Sequence, residues 1–239
     1  MRAELRVDVE DDRVVDLRVD PPLGAKVITG RDGPVLNLIG TAAALLEGDE
    51  LAIEVRLHGR ARLTVRSVAA QVAHPCPRRG STGLRVRASV GDGAALRWAP
   101  EPLILCAQSI HRSVVELDLT GSGTVHWSDE VVLGRSGEDA ETVEFVSHMR
   151  VMRNGAVEFE DGLALEPAGA DVWRGPAVLG RARYLGTRID LGEASSLADH
   201  NDCWMTLSGG GHLLRVIDAD PLVGRHRFAE AAAPVLTWR

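Results

Sequence analysis

An all-β fold, as a sandwich, barrel or solenoid, is predicted by three features of this sequence. Apolar and polar residues alternate with period 2 through the first two thirds of the chain. Short turn signals ("EGDE", "HGR", "GDGA", "TGSG") separate the alternating runs. Helical periodicity is scarce. No motif recurs at a fixed period, so the rhythm is that of a sheet protein and not of a sequence repeat.

Taken in order, "LRVDVE" (5–10) and "RVVDLRVD" (13–20) flank the turn "DD" and form a hairpin with Leu5, Val7 and Val9 on one face. Further strands are predicted at 34–39, 51–58, 61–72, 83–90, 94–100, 102–109 and 113–120. "TVHWS" (124–128) and "EVVLG" (130–134) are two more, parted by a polar break. "GTAAALLEGD" (40–49) predicts one or two helical turns. A short helix is expected within 221–236, ending before Pro234, and another within 195–202, capped by Ser195 or Ser196. The Gly/Pro/Ala-rich stretch 161–180 is a surface loop inside a single domain spanning 1–239. The pieces "WMTLS" and "HLLRVIDA" beyond it complete the sheets.

Hydrophobic residues make up 45% of the 239, but aromatics only 4%, so Val, Leu and Ala must fill the core. The net charge of −7 argues against a nucleic-acid surface, which needs a clustered basic face. Cys76, Cys106 and Cys203 are too scattered for a disulfide framework. The start lacks the apolar stretch of a signal peptide, and no apolar run approaches the ~20 residues of a membrane span. The expectation is a soluble, cytoplasmic protein with no membrane or nucleic-acid partner.

The stretch "DEVVLGRSGED" (129–139) poses the main chemical question, because Arg, Ser, Gly, Glu and Asp follow an apolar run within a few residues. A phosphate cradle would need a Walker lysine or a GxGxxG loop opening a helix, and neither is present here or in "LSGGGHL" (207–213). No nucleotide site is therefore expected. Eight histidines are spread along the chain without a GxSxG elbow, and Cys106 sits in an apolar run as an inert thiol. Two clusters carry metal-binding donors: His74 and Cys76 in "HPCP", and His200 and Cys203 with Asp199 and Asp202 in "ADHNDC". The plain reading of both is a solvated polar loop. Asp49, Asp129, Glu130 and Glu138 read on composition as solvated carboxylates at strand ends.

Three segments, in order, carry a family resemblance. "EGDELAIEVRL" (47–57) resembles the Gly-Gly-Asp-x-Leu strand start of urease accessory proteins of the UreD type, also called UreH. "GAALRWAPEPLILCAQS" (93–109) is similar to that family's Trp-x-Pro-x-Pro stretch, and "VHWSDEVVLGRSGE" (125–138) to its Trp-acidic-hydrophobic-Leu-Gly-Arg-x-x-x-Gly-Glu segment. Departures are present. Gln71, Ala73 and His74 stand where the family has Lys, Tyr and Arg, the double glycine reads Glu47-Gly48, and the ending is reduced to "VLTWR".

The resemblance implies two stacked β-sheets in a β-helix-like or sandwich arrangement with one to three short helices. It implies a non-catalytic assembly factor that binds apo-urease and, with UreF and the GTPase UreG, helps insert nickel into urease. Nickel is then a transient cargo, and the carboxylates Asp49, Asp129 (with Glu130 as alternative) and Glu138 become candidate stations on its route. One or two oxygen ligands per station suit a metal that must be released. Gly134 and Gly137 become turn residues, with Arg135 bracing the turn through a carboxylate. The alternative is a metal-dependent enzyme or small-molecule binder on a β scaffold, built on His74/Cys76 or His200/Cys203.

Overall fold

The structure is a computed structural model that describes residues 1–43, 45–138, 142–166, 169–192 and 204–232, the side chains of 170 and 171 excepted. Period-2 patterning becomes strand over most of this length. β1 (Arg2–Glu10) and β2 (Arg13–Val19) form the expected hairpin around Asp11 and Asp12. Both turn residues have positive φ, 45° and 62°, which suits the twist of a two-residue hairpin. A second hairpin, β3 (Leu23–Gly30) and β4 (Gly33–Gly40), follows. Then come β5 (Glu50–His58), β6 (Arg62–Ser67), β7 (Gln71–Ala73), β8 (Thr82–Val90), β9 (Ala95–Trp98) and β10 (Leu103–Leu105). β11 (Ile110–Leu119), β12 (Thr124–Leu133), β13 (Glu144–Arg153) and β14 (Ala156–Leu165) precede the single-turn helix α1 (Ala170–Trp173). β15 (Tyr184–Leu191), β16 (Trp204–Thr206), β17 (His212–Asp218) and α2 (Pro221–Ala232) complete the described chain.

Two sheets result. One has seven strands in the order β14-β13-β11-β8-β5-β1-β2. The other has ten, ordered β16-β17-β15-β12-β9-β6-β4-β3, with β10 and β7 pairing beside β12. From β4 to β13 the chain passes back and forth between them, so β5, β8, β11 and β13 stack in parallel in one sheet. β4, β6, β9 and β12 do so in the other. The winding is that of a flattened solenoid closed by antiparallel strands at its ends. Leu5, Val7, Val55, Leu57, Val86 and Leu117 face Leu36, Leu63, Val65, Leu96, Trp98 and Trp127 across the core. At roughly 25 cal/mol per Å² of apolar surface removed from water, these small side chains support the stack without many aromatics.

Three local expectations change. Between β4 and β5 the described residues form bends and turns, with Leu45 (φ 58°) and Gly48 (φ 87°) in the left-handed region, so local helix propensity is overridden by the tertiary turn. Residues 124–134 are one continuous strand, β12, up to Leu133. The stretch 161–180 begins inside β14 and contains α1. The C-terminal helix is as expected: Asp220 Oδ1 accepts from the N–H of Leu222 at 2.8 Å and of Val223 at 3.3 Å, capping α2 ahead of Pro221. The helix expected within 195–202 lies outside the described residues.

Candidate functional site

The Trp-Ala-Pro-Glu-Pro run separates β9 from β10 and opens the ten-stranded sheet. β12 pairs with β9 through Trp127↔Trp98 and resumes pairing with β10 at Val131↔Leu103. Residues 128–130 therefore have no partner on that side. Pro100 and Pro102 carry no N–H, which explains why the ladder cannot continue through them. The neighbouring strand breaks in step: Ala99 N–H still donates to Val65 O, but Glu101 N–H donates to Ser67 Oγ at 2.8 Å. The gap is a window beside the middle of β12.

Behind it lies a cavity of about 440 Å³ between the two sheets. Ile53, Val86, Val115 and Met149 line it from the seven-stranded sheet, Trp98, Trp127 and Asp129 from the other. Trp98 and Trp127 stack with centroids 4.6 Å apart and planes 3° from parallel. Asp129 follows Trp127 by two residues and so shares its inward face. Its Oδ2 accepts from the Trp127 indole N–H at 2.5 Å. Burial disfavours its charge more than the indole donors of Trp127 and Trp98 favour it, so its carboxyl is pushed up to about 6.

Glu130 points to the opposite face of the strand, beneath α2. The Tyr184 hydroxyl donates to its Oε2 at 2.7 Å, and Arg225 of α2 lies 3.6 Å from the same oxygen. Burial raises the Glu130 carboxyl and, together with the glutamate, raises the Tyr184 phenol, which stays protonated. Arg225 also donates to Glu101 Oε2 at 2.5 Å. Adjacent carboxylates thus serve opposite sides of one sheet.

The remaining sequence candidates lie elsewhere. Asp49 is buried in the turn before β5, where Oδ2 accepts from Leu46 N–H and Oδ1 from the Met1 amine, each at 2.9 Å. Glu138 lies in the turn after β12. Its Oε1 accepts from Arg135 Nε (2.8 Å) and Nη2 (2.6 Å), and its Oε2 from the N–H of Arg135 (3.0 Å) and Ala107 (2.9 Å). These donors hold its carboxyl at about 2. Arg135 thus braces the turn, with Gly134 (φ 74°) and Gly137 (φ 81°) supplying its left-handed positions. His74 borders the cavity, whereas the buried Cys76 thiol points at the carbonyls of His74 and Ile110, and burial pushes it up, away from thiolate. The cluster of His200 and Cys203 lies outside the described residues. Among the described residues, no three His, Cys, Asp or Glu side chains converge as a metal cage.

Sequence reasoning missed Glu101, Tyr184, Arg183 and Arg225. Arg183 clamps the same turn, donating to the carbonyls of Leu133, Gly134 and Arg135. Glu101 was legible as the single charge between two prolines. The other three come from distant parts of the chain and leave no local signal.

No helix among the described residues is long and apolar enough to cross a membrane. The family model described as UreD urease accessory protein matches residues 1–236. The urease accessory protein UreD of Parafrankia sp. (strain EAN1pec) is 31% identical, covering 99% of this chain and 88% of that protein. UreD 3 of Streptomyces griseus is 30% identical over 84% of this chain and 81% of its own length, and UreD of Xanthobacter autotrophicus 32% over 85% and 74%. With a full-length family match joined to a two-sheet solenoid that carries the family-like Trp-x-Pro-x-Pro window, this chain belongs to the UreD family of urease accessory proteins, and its role lies in urease maturation.

Proposed function

We propose that this chain is a non-catalytic, single-domain cytoplasmic scaffold that binds apo-urease, UreF and UreG and conducts nickel toward the urease active site. The observation that carries the reading is the part-buried Asp129 carboxyl at the cavity beside the sheet window. Nickel is the cargo. A lone carboxylate with indole donors holds a divalent cation loosely, and its readiness to take a proton favours release. Asp49 and Glu138 have both oxygens engaged in turns, so they support the scaffold around the route, and Asp129 is the station on it. The enzyme alternative gains nothing from His74 and Cys76, because the thiol is buried against backbone carbonyls.

The test is co-expression with the cognate urease and accessory proteins, comparing wild type, Asp129→Ala and deletion of the chain for urease activity and bound nickel. Deletion should leave apo-urease, and Asp129→Ala should still co-purify with its partners while urease gains less nickel. Full activity without the chain would overturn the reading, and full nickel loading with Asp129→Ala would remove the station.

A further inference from the structure

Glu101 and Glu130 stand on opposite rims of the sheet window, one in the proline bulge and the other on β12. Arg225 reaches both, with Nη2 on Glu101 Oε2 at 2.5 Å and Nε 3.6 Å from Glu130 Oε2. One guanidinium on a C-terminal helix therefore ties the two rims together. We propose that Arg225 is a latch across this window, so that its release widens a path from solvent to the Trp127–Asp129 pair.

The rest of α2 is built to hold that latch in place. Gly224 lets the helix backbone lie against Tyr184, since a Cβ there would meet the Tyr184 ring at 2.5 Å. Phe228, Ala231 and Ala232 pack on Tyr184, Leu214 and Val216. These contacts set the helix over β15 and β17, while only Arg225 spans the window. Its pairs are half exposed, and pairs of that kind are weak enough to exchange. While latched, the guanidinium also places a positive charge in the opening, which repels an approaching cation. The identity of the traveller rests on the nickel reading above. The latch stands on the gap in the ladder and the ion pairs that cross it.

Trp127 reports on the opening, because its indole N–H points at Asp129 in the cavity. In full-length protein labelled with ¹⁵N-tryptophan, exchange of that N–H with water is compared between wild type, Arg225→Gln, Arg225→Lys and Arg227→Gln. Arg227, on the same helix, pairs with Asp218 at the end of β17 and has no ion pair at the window, so it controls for general loosening. Arg225→Gln should speed exchange about threefold, the scale on which loss of one half-exposed ion pair shifts a population, and Arg225→Lys should restore most of the protection. Equal exchange in Arg225→Gln and wild type overturns the latch, as does equal acceleration by Arg227→Gln. Added Ni²⁺, which broadens nearby resonances, separates the two ideas. Faster exchange with no Ni²⁺ broadening at Trp127 keeps the latch and sinks the nickel reading; faster exchange with broadening supports both.

Discussion

The indole of Trp127 and the carboxylate of Asp129, two residues apart on one strand face, are hydrogen-bonded at 2.5 Å. The bond explains how an aspartate survives on a strand face that is otherwise apolar, among Val125, Trp127, Val131 and Leu133. A cavity provides room for the carboxyl, and the stacked Trp98–Trp127 pair provides donors. Burial nevertheless wins, and the carboxyl is pushed up to about 6.

That titration has a sign. The folded pKa, about 6, lies above the ordinary aspartate value of 3.8, so the folded state binds the proton more tightly. Stability contributed at Asp129 is present below pH ~4 and is lost as pH rises to about 6, a loss of up to about 3 kcal/mol. Asp129→Asn should therefore be more stable than wild type by about 1–3 kcal/mol at pH 7.5 and by no more than about 1 kcal/mol at pH 4.5. Urea unfolding at both pH values checks this, and a pH-independent difference would contradict it.

Glu138 runs the other way. Held at about 2, it contributes support that is complete above the ordinary glutamate range and fades as pH falls toward 2. Glu138→Ala strands the N–H groups of Ala107 and Arg135 and should cost about 1–2 kcal/mol at pH 7. Arg135→Ala, which spares those N–H bonds, should cost less. Thermal melts of both variants decide whether the turn depends on the carboxylate or on the guanidinium.

Gly186 and Gly224 fit α2 to the sheet. A Cβ on Gly186 would meet Phe228 at 2.6 Å. In Gly224→Ala the gain in helix propensity, about 1 kcal/mol, competes with overpacking of about 1–3 kcal/mol against Tyr184. Overpacking should win, since the ring sits in the core and cannot retreat. Amide exchange in α2 should quicken in both variants while the seven-stranded sheet stays protected.

Asp49→Ala separates scaffold from route. It leaves Leu46 N–H without its acceptor and should cost about 1–3 kcal/mol. Urease activation by this variant should follow its Tm and recover at lower temperature. Activation by Asp129→Ala should stay low at every temperature where the protein is folded.

Much of the fold was legible because a half-buried strand writes its two faces into the sequence. "LRVDVE" and "LAIEVRLH" became β1 and β5 with the expected residues inward. The parallel stacking was not legible, because alternation reveals a face and not the neighbour. β13, "EFVSHMRVMR", escaped because Ser147 faces the cavity and blurs its alternation.

The site was half legible. The Trp-x-Pro-x-Pro resemblance drew attention to this part of the chain, and the pairing of Arg135 with a carboxylate was suggested, beside that resemblance, by the fork geometry of its guanidinium. Asp129 was taken as a turn residue because Ser128, Asp129 and Glu130 form a polar break between apolar runs. The strand continues through them since the indoles and the cavity accept one carboxylate inside while Tyr184 and Arg225 take the other outside. Only tertiary structure supplies those hosts.

Because consecutive residues of β12 serve opposite sides of a wall, odd–even parity within that strand is itself functional information. Deleting one residue between Trp127 and Asp129 would bring Glu130 into the interior seat and turn Asp129 out toward α2, although the composition would hardly change. Single-residue insertions and deletions here should therefore be far more damaging than substitutions.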